Sequence, residues 1–301
     1  MATLLPGAGT ATPTTTKEAL SLRFEDVTQD GRLVLEALPH ALQPGWRLFA
    51  RDSAVPGLRE RGIFPILTRL VLESGAGPFS ANAPMTAETA YRIVGSTDGR
   101  IHLDMWSTLS APLGRSNDAQ VSWGAAETAV AGRVFAEHTF TRPFAPPGQR
   151  RVDAADFAQT QAMLETRPAL SGIEPILTLP ENARALDSTL ELDPVPVSFG
   201  IVHTDSNLHT NSLAYLRIFE EAALRRFVAL GHGSKVLGSR LEIAYRKPCF
   251  AGQEVRIALR AFERDGRLGV VGVLAEPPRA MPSIAEVVAH ARTCVRMGFD
   301  P

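Results

Sequence analysis

Between His203 and Phe227 the chain reads HTDSNLHTNSLAYLRIFEEAALRRF, and its first thirteen residues gather Asp205, Asn207, His209, Asn211 and Tyr215. A carboxylate can take a proton from water or attack as a nucleophile, and an imidazole and a carboxamide can hold and orient either one. The residues that follow carry the apolar spacing of a buried helix. A helix start offers free backbone N–H groups and the positive end of its dipole. A carbonyl lying there is polarised, and an oxyanion formed there is stabilised.

The plain alternative is that Asp205, Asn207 and Asn211 are turn and capping residues, His209 a satisfied structural histidine and Tyr215 a core residue with a bonded hydroxyl. Capping uses one or two such side chains, and five at fixed spacing exceed that need. In an extended lead-in, Asp205, Asn207 and His209 project from one face, as a shared centre requires. Asn211 reads as a cap and Tyr215 as support. An N–H near His209 to Asn211 is the expected oxyanion donor.

The elements that must position this set follow from periodicity. Ala214, Ile218, Phe219, Ala222, Ala223, Phe227 and Leu230 repeat at helical spacing, and Gly231 to Gly233 supply the stop. Arg217/Glu221 and Glu221/Arg225 stand four apart on the polar face. Strand signals come next: Leu241 to Tyr245, Val255 to Leu259, a hairpin turn at Asp265-Gly266, Leu268 to Leu274 and a closing run over 286–297. In the first half, Leu20 to Leu38 reads as strand, turn and strand around Asp30-Gly31, and Pro56 to Val71 as a helix stopped by Gly75 and Gly77. Alternating runs at Thr89–Val94, Ile101–Leu109, Gln120–Trp123 and Arg133–Phe140 follow, with a turn at Asp98-Gly99. Strand, helix and antiparallel strands thus occur twice. The expected architecture is an α+β tandem: a flexible tail over 1–17, a first unit over 18–150, a linker over 151–190 with a helix from Ala154 to Thr166, and a second unit over 191–301.

The chain is 301 residues long with a net charge of −1, which supplies no basic surface for nucleic acid. Its two cysteines, Cys249 and Cys294, are too few for a disulfide framework and suit a reducing compartment. No apolar run is long enough to span a bilayer and no leader pattern opens the chain, so the expectation is a cytoplasmic protein without a membrane partner, a monomer or a homodimer. No histidine has ligand spacing with carboxylates or cysteines and no glycine-rich phosphate loop follows a strand. Neither a metal nor a cofactor is expected.

Asp-x-Asn-x-His-x-Asn-x-x-x-Tyr, here Asp205 to Tyr215, resembles the signature of the fatty acyl-ACP thioesterases and, more loosely, of the wider 4-hydroxybenzoyl-CoA thioesterase group of hotdog-fold proteins. The resemblance implies a tandem hotdog, each unit a curved antiparallel sheet wrapped around a central helix. It also implies an acyl thioester hydrolase acting on acyl-ACP or acyl-CoA, in fatty acid or polyketide metabolism. Asp205 would be its base or nucleophile, Asn207 and His209 its partners, and the second helix start its oxyanion site. Those thioesterases carry a further Glu followed by Cys on the next strand. Here Cys249 matches and Pro248 stands at the Glu position, with Glu242 six residues earlier a weak substitute. Lys235, Arg240, Arg246 and Lys247 could meet the carrier's phosphates or simply form a solvated face. Aligning Asp52 with Asp205 places Ala54, Pro56 and Leu58 against Asn207, His209 and Asn211, a first unit stripped of the polar set and left to shape the acyl pocket. The alternatives are a non-catalytic acyl-thioester-binding hotdog protein and a hotdog dehydratase or isomerase.

Overall fold

The computed structural model describes residues 14–51, 57–116, 127–160, 165–170, 172–276 and 288–301, and the chain divides into two compact units between residues 170 and 171. In the first, β1 (Thr14–Leu20) leads through a 3₁₀ turn (Phe24–Asp26) to a 3₁₀ segment (Leu35–Leu42) that runs straight into α1 (Gln43–Arg51). The strands β2 (Phe64–Ser74), β3 (Met85–Ser96), β4 (Ile101–Pro112) and β5 (Thr128–Thr141) follow. They form an antiparallel sheet in the order β1-β3-β4-β5-β2. Helix and sheet approach closely because Gly45 has no side chain: a Cβ there would lie 2.7 Å from Thr89 Cγ2 and 2.9 Å from Met105 Sδ. Phe49 meets Tyr91 edge-on at 5.6 Å, and Trp46 meets His138 at 4.8 Å.

Several expectations for this half are corrected. Residues 14–17, assigned to the tail, belong to β1, whose Lys17 pairs with Glu88 of β3. The turn at Asp30-Gly31 is present, but the chain beyond Val34 is helical where a second strand was expected. Pro39 sits in a 3₁₀ segment and Pro44 in the first turn of α1, whose N–H groups lack intrahelical acceptors anyway. Conversely, Phe64 to Val71 of the expected Pro56–Val71 helix is β2, after a turn over 57–62, and Pro56 lies outside the described residues. Leu70, Val71 and Leu72 are buried in succession, so this strand is covered on both faces and shows no alternation for sequence reading to detect. The run at Gln120–Trp123 lies outside the described residues. The linker helix is a 3₁₀ segment over Ala154–Thr160, and Met163 and Leu164 lie outside the described residues.

The end of the linker is clasped to the first sheet. The short strand β6 (Thr166–Arg167) pairs in parallel with β3, and Arg167 donates from Nε and Nη2 to Asp104 at 2.8 and 2.9 Å and from Nη2 to Glu137. Thr68 Oγ1 also donates to Glu137 at 2.8 Å, and Arg92 and His102 stand 3.6 and 3.8 Å from Asp104 and Glu137. A linker read as lying over 151–190 is therefore divided, its first part belonging to the first unit.

The second unit opens with α2 (Glu174–Leu177) and three two-residue strands, β7 (Arg184–Ala185), β8 (Glu191–Leu192) and β9 (Val197–Ser198), each paired with β11. After a 3₁₀ turn (Ile201–His203) comes α3 (Ser212–Ala229). It is followed by β10 (Leu237–Tyr245), β11 (Glu254–Arg264), β12 (Arg267–Ala275) and β13 (Ala291–Asp300), joined antiparallel in the order β10-β13-β12-β11. Helix and four strands match the expectation, and Asp265-Gly266, at φ 52° and 74°, makes the hairpin between β11 and β12. α3 buries Tyr215, Leu216, Ile218, Phe219, Ala222, Ala223 and Phe227. Full burial of a side chain such as Phe219 or Phe227 stabilises by about 1.5–3 kcal/mol. Gly231, at φ 82°, ends the helix, with the His232 N–H donating to Phe227 O at 2.9 Å.

Alternation along the strands divides the sheet. Phe299 packs on Phe227 at 5.1 Å and Tyr245 on Tyr215 at 5.5 Å, so their faces turn toward α3. Ala244, Val273 and Cys294 turn the other way, beneath Ile176 of α2. Two buried carboxylates tie the last turns of α3 to the segment along β11. Arg225 Nε donates to Asp193 at 3.1 Å and Arg226 Nε to Asp187 at 3.0 Å, and Asp187 also accepts the Ala261 N–H at 2.8 Å. Asp193 rather than the expected Glu221 is the main partner of Arg225, since Glu221 stands 3.9 Å away.

Candidate active site

The chain reaches the candidate residues through a tight hairpin. Thr204 and Thr210 form an isolated bridge, the Asp205 N–H donates to His209 O at 3.1 Å, and the Leu208 N–H donates to Asp205 O at 3.0 Å. The lead-in is therefore not extended. Asp205 and His209 face each other across the hairpin and Asn207 sits exposed at its tip, where a straight strand would have put all three on one face. The turn needs a left-handed residue, and Leu208 fills that place at φ 66° while remaining 79% exposed. A side chain in that conformation costs about 1–2 kcal/mol.

Asp205 Oδ1 accepts the Asn207 N–H at 2.8 Å and stands 3.9 Å from His209 Nδ1, with both side chains about one-third exposed (34% and 36%). One carboxylate oxygen is thus used to shape the turn and the other is left for solvent or ligand. Asn211 begins α3, its Oδ1 accepting the Ala214 N–H at 3.0 Å. The Thr210 N–H is spent on Cys249 O (2.8 Å) and the Asn211 N–H on His203 O (2.9 Å). The N–H groups of the first helical turn, Ser212 and Leu213, have no acceptor within an α-helix.

Tyr215 acts from below. Its Oη accepts the N–H of Cys249 at 3.0 Å, while Cys249 O holds the hairpin through Thr210. Cys249 is fully buried, and burial pushes both its thiol and the Tyr215 hydroxyl up, away from ionisation at neutral pH. Neither group is a nucleophile here. Phe199, tilted against Tyr215 with ring centroids 5.8 Å apart, exchanges backbone bonds with Gln253 and Gly252 and so fixes the entry to the hairpin. Thr210 and the backbone of Cys249 are the positioning groups that sequence reasoning missed, and they leave no signal beyond adjacency to the signature.

No family model matches the sequence, and no curated protein matches it. Solved structures do. An acyl-ACP thioesterase from Bacteroides thetaiotaomicron superposes with a TM-score of 0.59 at 12% identity, over 95% of this chain and 98% of its own. A 12:0-ACP thioesterase from Umbellularia californica gives 0.57 at 11% identity, over 95% and 97%. A protein assigned as an oleoyl thioesterase from Lactobacillus plantarum gives 0.60 at 12% identity, over 96% and 97%. The chain has the double hotdog fold.

The two hotdog units repeat the candidate hairpin almost bond for bond. In the first, Val27 bridges Leu33, the Thr28 N–H donates to Arg32 O (2.9 Å), the Gly31 N–H to Thr28 O (2.9 Å) and the Val34 N–H to Asp26 O (3.0 Å). Each has its counterpart 177 residues later, and Gly31, at φ 85°, occupies the place of Leu208. The alignment of Asp52 with Asp205 is thereby overturned. Residues 52–56 lie outside the described residues, and the chain there comes after the first unit's helix, while the true counterpart precedes it. Thr28, Asp30 and Arg32 stand where the second unit has Asp205, Asn207 and His209. They are polar but mutually engaged: Thr28 Oγ1 donates to Asp30, Arg32 Nε donates to Asp30 Oδ2 at 2.7 Å, and these bonds outweigh desolvation to hold the Asp30 carboxyl below its usual range.

Glu242 is buried on the face of β10 opposite α3, paired in register with Arg296 at 3.9 Å, and so cannot stand in for the Glu replaced by Pro248. Among the described residues no His, Cys, Asp and Glu cluster has the makings of a metal site, and no helix is long and apolar enough to cross a membrane.

Proposed function

We propose that the second hotdog unit hydrolyses an acyl thioester carried by coenzyme A or an acyl carrier protein. The observation that carries this reading is the placement of the Asp205 carboxylate 3.9 Å from His209, partly exposed, at the start of α3. A thioester carbonyl lying over the N–H groups of Ser212 and Leu213 is polarised by them and by the helix dipole. Asp205 Oδ2, the oxygen not used by Asn207, takes a proton from an incoming water as its oxygen bonds to the carbonyl carbon. The tetrahedral intermediate then collapses, the C–S bond breaks, and the proton passes to the departing thiolate, giving acid and thiol. His209 and the Asn207 side chain orient the water and the carboxylate. The first unit is assigned to lining the acyl chain, since its own hairpin keeps Asp30 paired with Arg32. The fold likeness to acyl-ACP thioesterases supports the same chemistry.

Pro248 at the expected Glu position, with Glu242 turned away, favours one second reading: a hotdog protein that binds acyl thioesters without cleaving them. Thiol release from a panel of acyl-CoA and acyl carrier protein substrates, by the parent and by Asp205→Asn, separates the two. Release that falls at least a hundredfold in a variant with unchanged circular dichroism supports hydrolysis. Binding of acyl-CoA without release by either protein would replace it with the second reading.

A further inference from the structure

The peptide that anchors the candidate hairpin is itself gripped by one residue of β13. That strand opens with an irregular step: Ala291 and Thr293 pair with the neighbouring residues Ala275 and Leu274 of β12, and Arg292 between them is skipped. Such a bulge re-aims the side chain of the extra residue, and bulges are enriched beside active sites. The Arg292 backbone is used twice, its O accepting the N–H of Arg246 at 2.8 Å and that of Lys247 at 3.1 Å. Its side chain completes the grip. Nη1 donates to Pro248 O, and Nη2 pairs with Glu276 just beyond the end of β12.

From this grip a short chain of bonds leads to Asp205. The Pro248 carbonyl and the Cys249 N–H belong to one peptide group, and that N–H donates to Tyr215 Oη at 3.0 Å. Cys249 O then accepts the Thr210 N–H at 2.8 Å, and Thr210 bridges Thr204, the residue before Asp205. A guanidinium on the carbonyl draws charge from the amide and strengthens its N–H as a donor, so the first bond supports the second. Proline fixes φ at 248 and leaves the carbonyl as that residue's one backbone bonding group. The Arg292 side chain is 12% exposed, against 56% for Glu276. Water therefore competes weakly for the fork, whereas a pair exposed on both sides would contribute little. Burial pushes the Cys249 thiol up and the Arg292 charge opposes this in part, in keeping with a guanidinium lying close to that residue.

We infer that Arg292 is a positioning residue for Asp205, fixing its hairpin through Pro248 and Cys249; the inference rests on the hydrolytic reading of that hairpin. In steady-state thiol release by the full chain, Arg292→Met should lower kcat about tenfold and leave KM within about twofold of the parent, since what is lost is the placement of the carboxylate. Arg292→Lys should recover to within about threefold, because an ammonium can still donate to Pro248 O. Amide exchange supplies the second measurement. The Thr210 N–H should exchange about fivefold faster or more in Arg292→Met, while that of Ala261, bonded to Asp187 on β11, keeps its rate. Arg133→Met, an exposed position of the first unit, should alter neither kcat nor exchange. An unchanged kcat or Thr210 rate in Arg292→Met, a loss confined to KM, equal losses in the Lys and Met variants, or equal acceleration at Ala261 would overturn the inference. Absence of release by the parent would remove the hydrolytic reading alone, and the exchange rates would then decide whether Arg292 places the hairpin.

Discussion

Replacing Tyr215 by Phe removes one oxygen and nothing else, and the structure states what that oxygen does. The Cys249 N–H donates to it at 3.0 Å, Cys249 is fully buried, and no water can reach the amide in its place. A buried donor left without an acceptor costs about 1–3 kcal/mol. The same peptide group holds the candidate hairpin, because Cys249 O accepts the Thr210 N–H at 2.8 Å. The loss should therefore be local as well as global. Urea unfolding is expected to show a lower midpoint at unchanged slope, corresponding to a loss of about 1–3 kcal/mol of stability. Amide exchange should accelerate in the peptide around Cys249 and in 203–211, while the first unit keeps its protection. Hydrolysis, if present, should fall mainly in kcat, since the hairpin's carboxylate would be less well placed and no contact with the acyl group has been removed. A stability change below about 0.5 kcal/mol, with exchange at Cys249 unaltered, would refute the claim that this hydroxyl anchors the hairpin.

Three further outcomes are expected. Leu208→Gly should stabilise by about 0.5–1 kcal/mol, since relief of the left-handed side-chain strain exceeds the entropy glycine adds to the unfolded chain, and unfolding midpoints would measure it. Arg167→Ala should destabilise by about 3 kcal/mol, because Asp104 and Glu137 would keep buried charges with only the longer contacts to Arg92 and His102, and it should expose residues 165–170 to protease. Stability should also fall on acidification from pH 6.5 to about 4. Burial holds His138 near pKa 4 in the folded protein against an ordinary value of 6.5, so in that window the unfolded chain binds the proton and the folded one does not. The difference is worth about 3 kcal/mol at the acid end. Urea midpoints at pH 7 and pH 4.5 should converge in His138→Met, and an unchanged pH dependence in that variant would reject the assignment.

The sequence by itself determined the helix and the four long strands of the second unit, though not α2 or the short strands β7 to β9. α3 declares itself because one face is buried and the other polar, and Asp265-Gly266 because few other residue pairs accept two successive left-handed conformations. It also singled out Asp205, Asn207, His209, Asn211 and Tyr215, since rare polar types at fixed spacing stand out against any apolar pattern. The first unit was less legible for physical reasons that can be named. β2 is covered on both faces, which erases the alternation of period two, and the helix at 35–51 carries two prolines and the glycine that lets it touch the sheet. Only the tertiary structure decided that the candidate residues meet across a hairpin. The relevant constraints are backbone bonds from His203, Thr210 and Cys249, and backbone groups are the same in every sequence. For the same reason the internal repeat was hidden: residues 24–35 and 201–212 share no identical pair at that offset, yet the hydrogen bonds that fold them are the same. Side chains chose which of the two hairpins keeps a carboxylate open, and the shared backbone built both.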